Sequence, residues 1–160
     1  MKNLVLIRHG EAAPETNKTD DFERNLTEIG KQDSAKMAAV LLNSVPAPEI
    51  FVTSPAFRAI RTAEIFAATF GFDDVNPDPN IYEASAETLL KTVTQLSNDQ
   101  DIACLIGHNP GISNLLYELT GEIITMATSS WVEIELNVDQ WAEASADTGK
   151  LLRYRFPKST

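Results

Sequence analysis

The chain carries only two histidines, His9 and His108, and both stand where chemistry could be done. Each follows a short apolar run, Leu4-Val5-Leu6-Ile7 in one case and Ile102-Ala103-Cys104-Leu105-Ile106 in the other, and each touches a glycine. Runs of that length and composition suit strands buried on both faces. Both imidazoles are therefore expected just past the carboxyl ends of strands, the edge at which open α/β sheets bind ligands. An imidazole there can serve as base or nucleophile, whereas a satisfied loop histidine is the plainer alternative. Arginines sharpen the choice. Arg8 immediately precedes His9, Arg58 falls in the first turn of the helix expected after the second strand, and Arg24 closes a long polar stretch. A guanidinium fork matches the oxygens of a phosphoryl group, so these side chains together predict an oxyanion site. Arg61, Arg153 and Arg155 are expected to be solvated surface charges.

The elements that must position these residues are legible in outline. A strand over residues 3–7 stops at Arg8-His9-Gly10, and residues 11–25, polar and interrupted by Pro14, read as a loop long enough to be functional. A helix is predicted over 27–43, capped by Thr27, with Leu26 packing back on its first turn. Ala35, Ala38, Ala39 and Leu42 form its stripe, and Gly30 is its weak point. A second strand, Ile50-Phe51-Val52, leads to Ser54-Pro55, which reads as an N-cap with proline in the first helical position. Ala59, Ala63, Phe66 and Phe70 give that helix one buried face, and Gly71 ends it. Further helices are predicted over 86–96 and 112–119, the latter closed by Gly121. Residues 131–136 and 151–156 alternate with period two, as in a terminal hairpin or edge pair. Strands separated by helices imply an α/β fold: one domain over 1–160, with a mainly parallel central sheet between two helical layers.

Composition excludes several function classes. The chain has 160 residues, 13 basic against 23 acidic, for a net charge of −10. That balance argues against nucleic-acid partners and against adhesion to anionic membranes. The amino-terminal apolar run is too short for a signal peptide, and no membrane-spanning stretch occurs, so a soluble, cytoplasmic protein is expected. Cys104 is the single cysteine, which removes any internal disulfide or multi-cysteine zinc site. Rival phosphate chemistries fail on spacing. Gly30-Lys31 and Gly149-Lys150 lack the upstream glycine of a Walker loop, and no dinucleotide fingerprint is present. A cysteine phosphatase needs an arginine six positions after its nucleophile, where Cys104 has Pro110. Asp99 and Asp101 precede a strand instead of following it. Carboxylates could complete a metal site around the histidines, but no metal or other cofactor is required.

The motifs themselves are familiar. Leu6-Ile7-Arg8-His9-Gly10-Glu11-Ala12 resembles the Arg-His-Gly signature of the histidine phosphatase superfamily, which includes the phosphoglycerate mutases. Arg24-Asn25-Leu26-Thr27 with Gly30, then Ser54-Pro55 with Arg58-Ala59 and Thr62, resemble the next two blocks of its small SixA-type branch. Gly107-His108-Asn109-Pro110-Gly111 is similar to the second histidine block. The blocks run in family order over residues 4 to 112, and the length leaves no room for a cap insertion.

The resemblance implies a phosphoglycerate mutase-like fold and a cofactor-independent phosphatase. His9 would be the nucleophile that becomes a covalent phosphohistidine, with Arg8, Arg58 and a cationic His108 clamping the phosphoryl oxygens and Arg24 joining them. Glu83 corresponds best to the proton donor, with an ordinary loop carboxylate as the alternative. Glu11 would orient the loop. The implied partner is a phosphorylated protein carrying phosphohistidine, or else a small phosphate ester. A mutase, or from a different class a phosphate-binding module without turnover, are the remaining alternatives.

Overall fold

The computed structural model describes residues 1–159. Six strands, β1 (Lys2–Arg8), β2 (Ile50–Thr53), β3 (Asn76–Pro77), β4 (Ile102–Gly107), β5 (Trp131–Leu136) and β6 (Gly149–Arg155), form one sheet in the order β3-β2-β4-β1-β5-β6. The β3, β2, β4 and β1 neighbours pair in parallel, while β5 and β6 add an antiparallel end. Helices α1 (Glu28–Leu42), α2 (Phe57–Thr69), α3 (Ala86–Thr94) and α4 (Gly111–Thr120) cover the two faces.

The continuous apolar runs of β1 and β4 are explained by the two faces they serve. Leu4, Leu6, Ala103 and Leu105 point to α3 and α4, packing with Leu89, Val93, Leu115 and Leu119. Val5, Ile7, Cys104 and Ile106 point the other way, onto Met37, Leu41, Ala63 and Phe66 of α1 and α2. Alternation along a strand thus feeds two separate cores. Truncating a fully buried side chain such as Phe66 to alanine would cost about 3–5 kcal/mol.

Local signals hold in several places and shift in others. Thr27 caps α1 by accepting from the backbone N–H of Gly30 at 3.0 Å. Gly71 and Gly121 follow α2 and α4 with φ of +84° and +79°, conformations in which a side chain would be strained. The stripe on α1 is different from the one expected: Ala35, Ala39 and Leu42 are exposed, and the buried face is Gly30, Ser34, Met37, Ala38 and Leu41. Small residues all round this helix blur its apolar face. Gly30 is no defect, because a Cβ there would overlap the Glu11 carbonyl oxygen. It lets the start of the polar stretch lie directly on the helix. That stretch is closed at its base by an Ala12–Leu26 bridge and the Ala13 N–H to Asn25 carbonyl bond at 2.8 Å. Ser54 does not cap α2, which begins at Phe57 after Ala56. Arg153 is also not a free surface charge. It pairs at 2.5 Å with Glu133, which is buried, and bonds the Ser44 carbonyl at 2.7 Å. Arg61 is exposed, as expected, and its ion pair with Glu64 is long at 3.9 Å.

Candidate active site

Parallel pairing of β1 with β4 sets Arg8 opposite Gly107, so the next residues on both strands, His9 and His108, emerge side by side. Their ring centroids lie 5.0 Å apart. Both are buried at the carboxyl edge of the parallel strands. His9 Nδ1 lies 2.8 Å from the Gly10 carbonyl oxygen. A carbonyl can only accept, so Nδ1 carries the proton and Nε2 keeps its lone pair. Burial, then the fields of His108, Arg58 and Arg8, outweigh that bond and bring the His9 pKa down to about 3. The ring is therefore a neutral, tautomerically fixed imidazole at physiological pH, the state a nitrogen nucleophile needs.

His108 Nε2 lies 2.7 Å from Ser54 Oγ, while its buried Nδ1 has no partner. Burial and the nearby Arg58 hold its pKa down to about 4. The cationic His108 expected from the resemblance is thus not its state in the free protein. Ser54, just past the end of β2, meets this ring through the same Oγ that accepts from the Ala56 N–H at 3.2 Å, ahead of α2.

Arg8 reaches from the end of β1 to the Met126 carbonyl at 2.8 Å, and its buried Nε is also without a partner. Among the described residues, the three buried side-chain polar atoms without a bond are Arg8 Nε, His108 Nδ1 and Ser130 Oγ. Two of them belong to residues flanking His9. Arg8 Nε is a donor in every state, and His108 Nδ1 is one when Ser54 donates to Nε2; an unpaired buried donor costs about 1–3 kcal/mol, which an oxyanion accepting from it would return. Arg58, in the first turn of α2, donates from Nη1 to the Asp21 carbonyl at 2.7 Å and from Nη2 to Asp21 Oδ2 at 3.1 Å. Arg24 donates to the Ala13 carbonyl at 2.6 Å and to Asp21 Oδ1 at 2.9 Å. It is brought beside Arg58, but these bonds hold it to its own loop.

Glu83 is exposed, with φ of +50°. It borders a cleft of about 430 Å³ shared with Ser85, His108, Asn109 and Asn114. Gly111 makes the approach possible, since a Cβ there would overlap the Ala84 carbonyl oxygen. The structure so brings together His9, His108, Arg8 and Arg58, sets Glu83 at the rim and holds Arg24 one residue away across Asp21. Cys104 is wholly buried and its thiol pKa is pushed up, which suits a core residue. Among the described residues, no group of three or more histidine, cysteine or acidic side chains is placed to hold a metal. Asp21 and Tyr82, which also meet at this edge, fall in none of the motifs. Asp21 sits in the run Asp20-Asp21-Phe22-Glu23, where nothing local separates it from its acidic neighbours.

Known proteins share both sequence and architecture with this chain. An uncharacterised chloroplast protein of Arabidopsis thaliana is 27% identical over 158 residues, which are 92% of this chain and 72% of that protein. The solved protein histidine phosphatase SixA in complex with tungstate superposes with a TM-score of 0.84 at 23% identity, covering 98% of both chains. A candidate phosphohistidine phosphatase SixA from Nakamurella multipartitia gives 0.85 at 22% identity, covering 98% of this chain and 96% of its own. At these identities the structures establish the shared fold. The family model of the histidine phosphatase superfamily (branch 1) matches residues 4–100, more than half of the chain and the part that holds His9, Arg24, Arg58 and Glu83. That match covers the strand and loop that place His9, and the chain belongs to the histidine phosphatase superfamily.

Proposed function

We propose that this protein is a cofactor-independent phosphatase that works through a covalent phosphohistidine on His9, and that its substrate is phosphohistidine carried by another protein. The observation that carries this reading is the His9 ring: Nδ1 tied to the Gly10 carbonyl, Nε2 free, and a second histidine 5.0 Å away. Nε2 attacks phosphorus as the bond to the leaving group breaks, and the leaving group takes a proton from Glu83 or from solvent. Water then cleaves the phosphorus–nitrogen bond, releasing phosphate and restoring His9. Charge spreads over the phosphoryl oxygens in both steps, so the donors of Arg8, Arg58 and His108 stabilise the transition state more than the ground state. Removing one such donor would cost on the order of 3 kcal/mol, or ~10² in rate. An imidazole leaving group needs general-acid help less than an alkoxide does, so Glu83→Gln would slow an alkyl phosphate more than a phosphohistidine.

Between α2 and α3 the chain spends residues 70–85 on β3 and one 3-10 turn, and among the described residues no extra layer is inserted there. This supports a side chain presented on a macromolecule. The cleft volume also falls in the range of small-ligand sites, which favours a small phosphate ester as the second reading. Phosphate release from a phosphohistidine protein and from an aryl phosphate, with chelator present, tests both. Release that survives chelator and vanishes in His9→Ala supports the mechanism, and the ratio ranks the substrates. Unchanged turnover in His9→Ala would remove the assigned nucleophile. Phosphate binding by a folded wild type that releases nothing would leave a binding module.

A further inference from the structure

Asp21 receives more of the site's donors than any residue the motifs point to. Its Oδ1 accepts from Arg24 Nη1 at 2.9 Å, and its Oδ2 accepts from Arg58 Nη2 at 3.1 Å and from the Tyr82 hydroxyl at 2.5 Å. Its backbone carbonyl takes Arg58 Nη1 at 2.7 Å. Asp20, next to it, does only local work, capping the 3-10 turn by accepting from the Glu23 N–H at 3.1 Å. Two points of attachment on one residue fix both the position and the plane of the Arg58 guanidinium. Tyr82 in turn stands edge-on to His108, with centroids 5.6 Å apart. The Tyr82 bond above all, with those from Arg24 and Arg58, holds the Asp21 carboxyl far below the usual range.

We propose that Asp21 is the positioning residue of the site. It aligns Arg58 for the phosphoryl oxygens and seats Tyr82 against His108, without itself touching a reacting atom. The inference rests on the phosphatase reading of His9 and adds to it the origin of the arginine's order. The physical need is specific. A free arginine loses rotamer entropy when it is ordered, and two neighbouring guanidinium groups repel. One carboxylate between them removes both costs before substrate arrives, and a donor ordered in advance stabilises a transition state without reorganising during the reaction. A carboxylate that merely plugged the site in place of phosphate would have the opposite effect on rate.

The test is a double-mutant cycle on the intact protein, D21N against Arg58→Ala. It is read as aryl-phosphate turnover and as tungstate affinity by calorimetry. D21N keeps the shape but leaves one acceptor oxygen and no charge. It should lower kcat about 10- to 100-fold, shift KM less than about threefold and weaken tungstate binding. In the Arg58→Ala background the same change should cost several-fold less than in wild type, because the arginine it aligns is gone and only its hold on Tyr82 is left to lose. D21N as fast as wild type, or faster, would overturn the proposal, as would penalties that multiply in full. If D21N does not fold, D21E carries the same cycle, since it keeps the charge but moves it by one methylene. Wild type that binds tungstate but hydrolyses nothing would sink the phosphatase reading. The Asp21–Arg58 coupling in tungstate affinity would still decide the positioning role.

Discussion

Strand β1 begins and ends on a cation, and the two are treated in opposite ways. At its amino end Lys2 is buried and saturated: Nζ donates to the Asn98 carbonyl at 3.1 Å, the Gln100 carbonyl at 3.3 Å and Asp101 Oδ1 at 2.7 Å, and it stands 5.7 Å from the Trp141 ring. At its carboxyl end Arg8 spends one nitrogen on the Met126 carbonyl and leaves its buried Nε unbonded. Burial pulls the Arg8 pKa below its ordinary value, yet a guanidinium remains charged at neutral pH. The amino edge of the sheet thus uses its cation to close the fold. The carboxyl edge keeps donor capacity in reserve, next to two buried histidines. Unspent donors, more than buried charge as such, distinguish the carboxyl edge of this sheet from its amino edge.

Substitutions at the two ends should separate stability from rate. Arg8→Ala should lower kcat/KM for an aryl phosphate by ~10²–10³, the loss typical of one transition-state donor, while the melting temperature changes little. Steady-state kinetics beside a thermal melt would show it; a large drop in melting temperature at full activity would erase the contrast. Lys2→Met should do the reverse, costing about 2 kcal/mol of stability for its charged hydrogen bonds and lowering the melting temperature by roughly 4–8 °C, with turnover kept within about twofold. Urea titration of the purified variant reads the first, and a rate assay the second.

Acid should act at the histidine end. The pKa values of His9 and His108 are held at about 3 and about 4, below the 6.5 of an ordinary histidine. Between these values and pH 6.5 the unfolded chain binds more protons than the folded one, so stability is fully present above pH 6.5 and falls as pH drops. Each histidine contributes a slope of up to ~1.4 kcal/mol per pH unit. His108→Gln should flatten the dependence of unfolding free energy on pH, and an unaltered slope would mean the ring is not buried neutral. Smallest of all, Arg61→Ala should change stability by no more than about 0.5 kcal/mol and leave activity alone, because its ion pair is exposed and long. A measurable rate loss there would extend the site beyond the edge described.

The strands and most helices were legible because burial writes itself into local composition. The runs before His9 and His108 are apolar at every position because each strand feeds two cores. Ala59, Ala63 and Phe66 of α2 keep their spacing and are buried. The face of α1 was harder to read because alanines surround it and a glycine and a serine belong to its buried side. The Arg153–Glu133 pair was concealed by a period-two pattern that says which residues share a face but not which meet across strands. Ser54 reads as a helix cap because Ser-Pro is a common start signal; the helix starts two residues later than that signal implies, and a buried imidazole at 2.7 Å shares the hydroxyl with the Ala56 N–H.

By itself the sequence determined the kinds of groups available and their placement at strand ends: two imidazoles after apolar runs, arginines nearby and glycines beside the histidines. Those features depend on neighbours within a few residues, where hydrophobic period and backbone freedom operate. Only the tertiary structure decided that β4 inserts between β1 and β2, which sets His108 beside His9 and beside Ser54. It alone chose Asp21 from an acidic run to hold Arg58, Arg24 and Tyr82. Strand adjacency and the pairing of buried polar groups are set by contacts between residues far apart in the chain, for which local pattern carries no signal.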